Sequence, residues 1–260
     1  MKLKGKVAVV TGGSRGIGRA IAVRLAEDGA LICVNYRANS GAADEVVQEI
    51  NADGGEAFAL QADVGSVEQL NTFFESLDAE LTKRRGDHHF DILVNNAGMG
   101  GGGSITSTTE AEFDRVFATN VKGPFFTTQQ ALPRIKDGGR IINVSSNLSK
   151  HPLGRVLAYC MTKAAIDNFT VGLAGELGKR AITINTLAPG LTATELNAET
   201  RAIPGVEKLF SSITALGRIC RVDDIVGAAA FLASPESAWV TGQYLEASGG
   251  LGLVLPTPWE

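Results

Sequence analysis

Short apolar, β-branched runs alternate along this chain with longer stretches of helical periodicity. Residues 6–11 (KVAVVT), 31–36, 57–61, 91–95, 140–145 (RIINVS) and 182–187 (ITINTL) each read as a buried strand, and 243–247 as a last short one. Between them the pattern predicts helices over 16–28, 41–52, 67–82, 109–135, 156–179 and 222–232, with Gly29 placed to end the first. Strands that are apolar throughout, rather than alternating, are covered on both faces. Alternating strands and helices joined by right-handed crossovers then predict an α/β fold: one domain over 1–260 with a doubly wound, Rossmann-like parallel sheet of about seven strands. No repeat or low-complexity linker divides the chain. The segment 190–222 is less regular, 83–89 (KRRGDHH) reads as a solvated loop, 100–103 is four glycines in a row, and 251–260 is a C-terminal extension.

Composition narrows the class. Glycine is in excess at 31 of 260 residues while proline is only 8, so the excess is not a disorder signal. Cys33, Cys160 and Cys220 form no CxxC pair, and His88, His89 and His151 have no metal-ligand spacing, so neither a disulfide framework nor a metal centre is expected. The apolar run at 7–10 is too short for a signal peptide, and nothing approaches a membrane span. The reading is a soluble, cytoplasmic protein without a membrane partner. A net charge of −4 argues against a nucleic-acid partner.

The glycines concentrate first in Thr11-Gly12-Gly13-Ser14-Arg15-Gly16-Ile17-Gly18, between the first strand and first helix. Glycine lets backbone approach a ligand closely, and a helix N-terminus offers free N–H groups to a pyrophosphate. The spacing GxxxGxG in this setting points to a dinucleotide. An acid at the end of the second strand would hold the ribose of NAD, yet Asn35-Tyr36-Arg37 stands there and no acid follows until Asp44. Arg15 and Arg37 instead suit a 2′-phosphate. NADP(H) is the preferred cofactor, with NAD(H) possible.

Tyr159 and Lys163 lie four apart on one predicted helix, hence on one face. A lysine cation stabilises phenolate, and such a pair can serve as acid or base. Ser145 and Ser146 follow the fifth strand, and Asn95-Asn96-Ala97-Gly98 ends the fourth, both at the sheet edge where ligands sit. Asn120 falls inside a predicted helix, where asparagine is unfavourable.

With TGGSRGIG at 11–18, Asp63-Val64, NNAG at 95–98, Asn120, Ser146, Tyr159-Cys160-Met161-Thr162-Lys163, Pro189-Gly190, Thr241-Gly242-Gln243 and Gly249-Gly250, the chain resembles the short-chain dehydrogenase/reductase family over essentially its whole length, and in particular the subgroup of 3-oxoacyl-carrier-protein and carbonyl reductases. The resemblance implies a catalytic set of Asn120, Ser146, Tyr159 and Lys163. Tyr159 would exchange a proton with the substrate oxygen, Lys163 would lower its pKa and bind the nicotinamide ribose, and Asn120 would hold a relay water. Ser146 rather than Ser145 lies at the family's interval before the tyrosine. The implied cofactor set comprises Gly12, Ser14, Arg15, Gly16, Ile17, Gly18, Asn35, Tyr36, Arg37, Asp63, Val64, Asn95, Ala97, Gly98, Tyr159, Lys163, Pro189, Gly190, Leu191 and Thr192. Asp63 and Val64 resemble the pair at the adenine, and Pro189, Leu191 and Thr192 the residues at the carboxamide.

The substrate pocket is expected around Met99, Ser146, Leu148, Leu153, Tyr159 and Leu196, roofed by a lid at about 190–222 that also carries Ile203, Val206, Leu209 and Phe210. The implied activity is NADP(H)-dependent reduction of a ketone or 3-oxoacyl group to a secondary alcohol, in a homotetramer. The alternatives are an alcohol, sugar or steroid dehydrogenase running oxidatively, and a non-catalytic nucleotide sensor on the same fold. The apolar 251–260 segment, with Trp259, is expected to pack on a neighbouring subunit.

Overall fold

The computed structural model describes residues 1–101 and 103–254. In chain order the elements are β1 (Val7–Val10), α1 (Gly16–Glu27), β2 (Leu31–Tyr36), α2 (Ser40–Ala52), β3 (Glu56–Gln61), α3 (Val67–Arg85), β4 (Phe90–Asn95) and α4 (Glu110–Phe117). They continue with α5 (Gly123–Ala131), β5 (Ile135–Val144), α6 (Leu157–Leu177), β6 (Thr183–Pro189), α7 (Ala198–Ala202), α8 (Val206–Ser212), α9 (Asp223–Ala233) and β7 (Tyr244–Ala247). The strands form one parallel sheet in the order β3-β2-β1-β4-β5-β6-β7. The order reverses between β1 and β4, so the chain leaves these neighbours in opposite directions and opens a crevice at their carboxyl ends.

The continuous apolar strands feed two cores. Successive residues of β1 point to opposite faces. Ala8 and Val10 join Ile21, Leu25, Val46, Ile225 and Leu232 under α1, α2 and α9. Val7 and Val9 join Phe73, Phe74, Leu77, Leu81 and Leu177 under α3 and α6. A buried polar ladder crosses the second face near the strand ends. Asn95 donates to Thr128 and Asn143 (3.0 and 2.9 Å), Asn143 donates to Thr170 (2.9 Å), and Thr170 meets the Thr186 hydroxyl (3.0 Å).

Three expectations are corrected. Lys83–Arg85 is not loop but the last turn of α3, which stops only at Gly86 (φ 72°), where the backbone turns left-handed. Basic side chains in that turn complement the helix dipole. The helix expected over 109–135 is broken: a π-helical turn over Ala118–Lys122 separates α4 from α5, and α5 ends at Ala131. Strand β5 then begins at Ile135, opposite Phe90, and the register slips before Ile92 meets Arg140. The slip accommodates Gly138 (φ 76°) and its neighbour Gly139, whose absent side chain leaves room for Ile135.

The segment after β6 runs through α7 and α8 and returns to the sheet edge, where Thr192 bridges Cys220 and Thr214 bridges Leu251. Leu251 is therefore buried in its own subunit, so the expected subunit-packing segment is partly accounted for within the chain. Gly102, Trp259 and the rest of 255–260 lie outside the described residues. Among the described residues no helix is long and apolar enough to cross a membrane.

Candidate active site

The crevice is built around Thr11, at the end of β1. Its hydroxyl donates to the Val94 carbonyl (3.2 Å) and accepts from the backbone N–H groups of Asn96 and Ala97 (both 3.0 Å). The Asn96 amide donates to the carbonyls of Thr11 (2.9 Å) and Gly12 (3.1 Å). Two loops from adjacent strands are thus fastened edge to edge. The closeness explains the glycines: a Cβ at Gly12 would lie 2.9 Å from Ala97 Cα, and one at Gly18 would collide with Asn96 and the Gly12 carbonyl. Gly12 and Gly16 also take positive φ (60° and 55°).

Helix α1 opens from this loop with Arg15 as its N-cap, and no side chain caps it. Its first backbone N–H groups are therefore directed to whatever occupies the crevice, together with the positive end of the dipole. The cradle fits a dinucleotide pyrophosphate. Arg37 is exposed beyond β2, beside the N-terminus of α2, while Arg15 pairs with Glu195 across the crevice (3.2 Å).

Several members of the expected cofactor set prove to be supports. Asn35 is buried; its side chain accepts from Gly12 N–H (3.2 Å) and donates to Ala62 O (3.2 Å), so it pins the glycine loop to β3. Asn95 is buried in the ladder on the second face. Ser14 belongs to the glycine turn, while Ile17, in the first turn of α1, and Tyr36 are half-buried against the first core. Asp63 closes its own turn through Gly65 N–H (2.8 Å), and Val64 is buried against Gly123. Pro189, Gly190, Leu191 and Thr192 line the end of β6, where Gly190 packs on Ser248 and Thr192 donates to the Gly190 carbonyl (2.9 Å). The residue missed by the sequence reading is Asn96: NN was visible, but only topology shows which amide faces the loop.

Tyr159, Lys163 and Ser146 converge beside this crevice. Tyr159 and Lys163 share the first turns of α6, and the Lys163 ammonium lies 5.6 Å from the tyrosine ring centre. Lys163 is buried and donates to the Val144 carbonyl at the end of β5 (2.9 Å). Ser146 begins a 3-10 turn, accepts from Leu148 N–H (3.2 Å), and presents its hydroxyl to Tyr159. Burial pushes the Tyr159 phenol up to about 12, the Ser146 hydroxyl pulling the other way. The lowering expected from Lys163 does not set the phenol's state: desolvation dominates, and the opposing pull comes from Ser146. Burial lowers Lys163 to about 8, opposed by Asp167.

Asn120 sits within the π turn, which turns its amide inward. Its oxygen accepts from Met99 N–H (2.9 Å), and its nitrogen donates to the Met99 carbonyl (2.9 Å) and to Thr162 on α6 (3.1 Å). Gly98 fits between Asn120 and Lys163: a Cβ there would lie 3.5 and 3.6 Å from their polar atoms. On the far side, Leu196 packs over Gly100 while Leu148 and Leu153 are half-buried. Of the roof residues, Ile203 and Leu209 are exposed. Gly103 makes room for the Ser107 hydroxyl, which accepts from Ser104 N–H (2.9 Å). Away from the crevice, Asp87, His88 and His89 bring donor atoms together, and Asp87 is already paired with His89 and Lys136.

With this geometry in view, the comparisons identify the class. The family model described as enoyl-(acyl carrier protein) reductase matches residues 12–252. An uncharacterized oxidoreductase of Methylorubrum extorquens is 42% identical over 252 residues, spanning 96% of this chain and 99% of that protein. Versicolorin reductase 1 of Aspergillus parasiticus is 38% identical, spanning 96% and 97%. The solved angucycline C-6 ketoreductase LanV with bound NADP superposes with a TM-score of 0.93 at 42% identity, covering 97% of this chain and 98% of that one. The chain belongs to the short-chain dehydrogenase/reductase family of oxidoreductases.

Removing the Asn120 amide leaves the Met99 amide group and Thr162 without their partner. Asn120→Ala is expected to destabilise the fold by roughly 2–4 kcal/mol, read as a lower denaturant midpoint at unchanged slope. An unchanged midpoint would remove the clamp from the account.

Proposed function

We propose that this protein is an NADP(H)-dependent ketoreductase. The observation that carries the reading is the meeting of Ser146, Tyr159 and Lys163 with an uncapped helix N-terminus in a single crevice. The ketoreductase neighbour with bound NADP and the versicolorin reductase relative support it. NADPH, when bound, supplies the hydride that reaches the carbonyl carbon. The protein's part is to hold the carbonyl oxygen, meet its developing charge and return a proton.

Ser146 and Tyr159 donate to that oxygen. A phenol at about 12 stays protonated across the neutral range, which suits an acid delivering its proton to a forming alkoxide. Lys163, still largely cationic below about 8, stabilises the phenolate left behind and reaches the cofactor ribose. Asn120 holds the Met99 backbone and, through Thr162, the start of α6. The amides of the glycine loop hold the pyrophosphate, and Arg15, Arg37 and the N-terminus of α2 suit a 2′-phosphate. Leu148, Leu153, Leu196 and Met99 favour a bulky apolar ketone, covered by a lid over 190–222.

Tyr159→Phe is expected to lose at least a hundredfold in kcat with NADPH affinity nearly unchanged; full turnover in this variant would refute the acid assignment. Catalytic efficiency with NADPH is expected to exceed that with NADH, and a clear NADH preference would sink the phosphate-site reading. A homotetramer is proposed as the working assembly, in keeping with apolar side chains left in water: Phe125, Met161, Val171 and the fully exposed Trp239. Light scattering at the mass of one chain would count against it.

A further inference from the structure

Behind the four residues of the proposed mechanism lies a second polar group that the mechanism does not use. Asp167 follows Lys163 by one helical turn on α6, so the two side chains share a face. Its Oδ1 is buried and has no hydrogen-bond partner among the described residues, and the same holds for the Ser149 hydroxyl. A buried carboxylate oxygen without a partner is costly, and persists where a charge nearby offsets it. Burial, the larger effect, raises the Asp167 pKa, and it is opposed by the Ser149 and Ser145 hydroxyls and by the charges of Lys150 at the end of the 3-10 turn and Lys163 on its own helix, neither of which is in direct ion-pair contact with it.

These groups connect back to the site. Ser145 donates to the Lys163 carbonyl (3.2 Å). Lys150 lies over the Tyr244 ring of β7, 3.6 Å from its centre, and the Tyr244 hydroxyl donates to the Ser146 carbonyl (3.4 Å). Residues 145–150 are therefore held from α6 on one side and from β7 on the other. The charged and titratable groups that bear on Lys163 and Asp167 are Tyr159 on α6, Lys150 on the turn and Tyr244 on β7; the π turn contributes only the neutral Asn120.

We propose that Asp167 is a positioning residue of this site: its half-buried carboxylate, with one oxygen enclosed and unpartnered, is the counter-charge that keeps Lys163 cationic beside the turn that presents Ser146. The proposal rests on the ketoreductase reading, in which Lys163 must carry its charge. The direction of the lysine's shift agrees, since burial lowers it and Asp167 is the group that raises it.

The sign of the test follows. An anion favours the charged form of a lysine, so removing it makes the ammonium lose its proton at lower pH. In the unmodified protein, kcat/KM for NADPH and the NADPH dissociation constant, followed by nicotinamide fluorescence, should both deteriorate as pH rises through Lys163's titration. In Asp167→Asn and Asp167→Ser both limbs should move toward acid by about one pH unit, and Asp167→Glu should return them most of the way. If Asp167 serves only the fold, its neutral variants will melt at a lower temperature with the limbs in place, and that result overturns the proposal. Lys163→Met separates this failure from that of the underlying reading. Inactive Lys163→Met with unmoved limbs in the Asp167 variants sinks only the positioning role; active Lys163→Met sinks both.

Discussion

The structure depends on bringing two loops into backbone contact at the point where the sheet reverses. Thr11 and Asn96 make that contact, and their hydrogen bonds run almost wholly to main chain. Everything chemical is referred to it. The glycine loop on one side sets where an anion meets α1. The Ala97–Met99 segment on the other side sets where Asn120 and Lys163 stand. The requirement is steric before it is chemical: at a Cα-to-Cβ separation of 2.9 Å, Gly12 admits no side chain.

Much of this was legible in the chain. Buried parallel strands announce themselves because both faces must be apolar, and part of each of the seven is visible in the sequence, although β3 and β7 at the sheet edges are only partly buried. The glycine loop, the Tyr159–Lys163 spacing and the serine after β5 each carry a local pattern tied to a local geometry. What stayed hidden had no local signature. A π turn adds one residue to a helix without changing its composition, so 118–122 read as ordinary helix. The end of α3 is hard to read because Lys83, Arg84 and Arg85 look like loop, although their charges complement the helix's C-terminal end and Gly86 gives the stop. The start of β5 at Ile135 depends on a partner, Phe90, some 45 positions earlier in the chain.

The division of labour between Asn95 and Asn96 shows the same limit. Adjacent residues on a strand face opposite sides, so one amide enters the ladder of Asn143 and Thr170 while the next reaches the glycine loop. The pair was evident as a motif, but which member meets the crevice is settled by the sheet. That ladder joins the ends of β4, β5 and β6 to α5 and α6 through side chains, at the level where the strands stop and the reactive groups begin. It makes the platform stiff where apolar packing thins out. The resting proton states follow from the same enclosure, since water withdrawn from Tyr159 and Lys163 drives both toward their neutral forms.

The π turn has a consequence of phase. One residue advances an α-helix by about 100°, so a single extra residue between Phe117 and Gly123 rotates everything after it relative to everything before. Helix α4 lies against α6, and α5 lies against α3. The shift of phase turns the main packing surface from α6 to α3, while Phe125 of α5 still meets Phe169 of α6. A chain one residue shorter here would have to choose which of the two surfaces to keep in register.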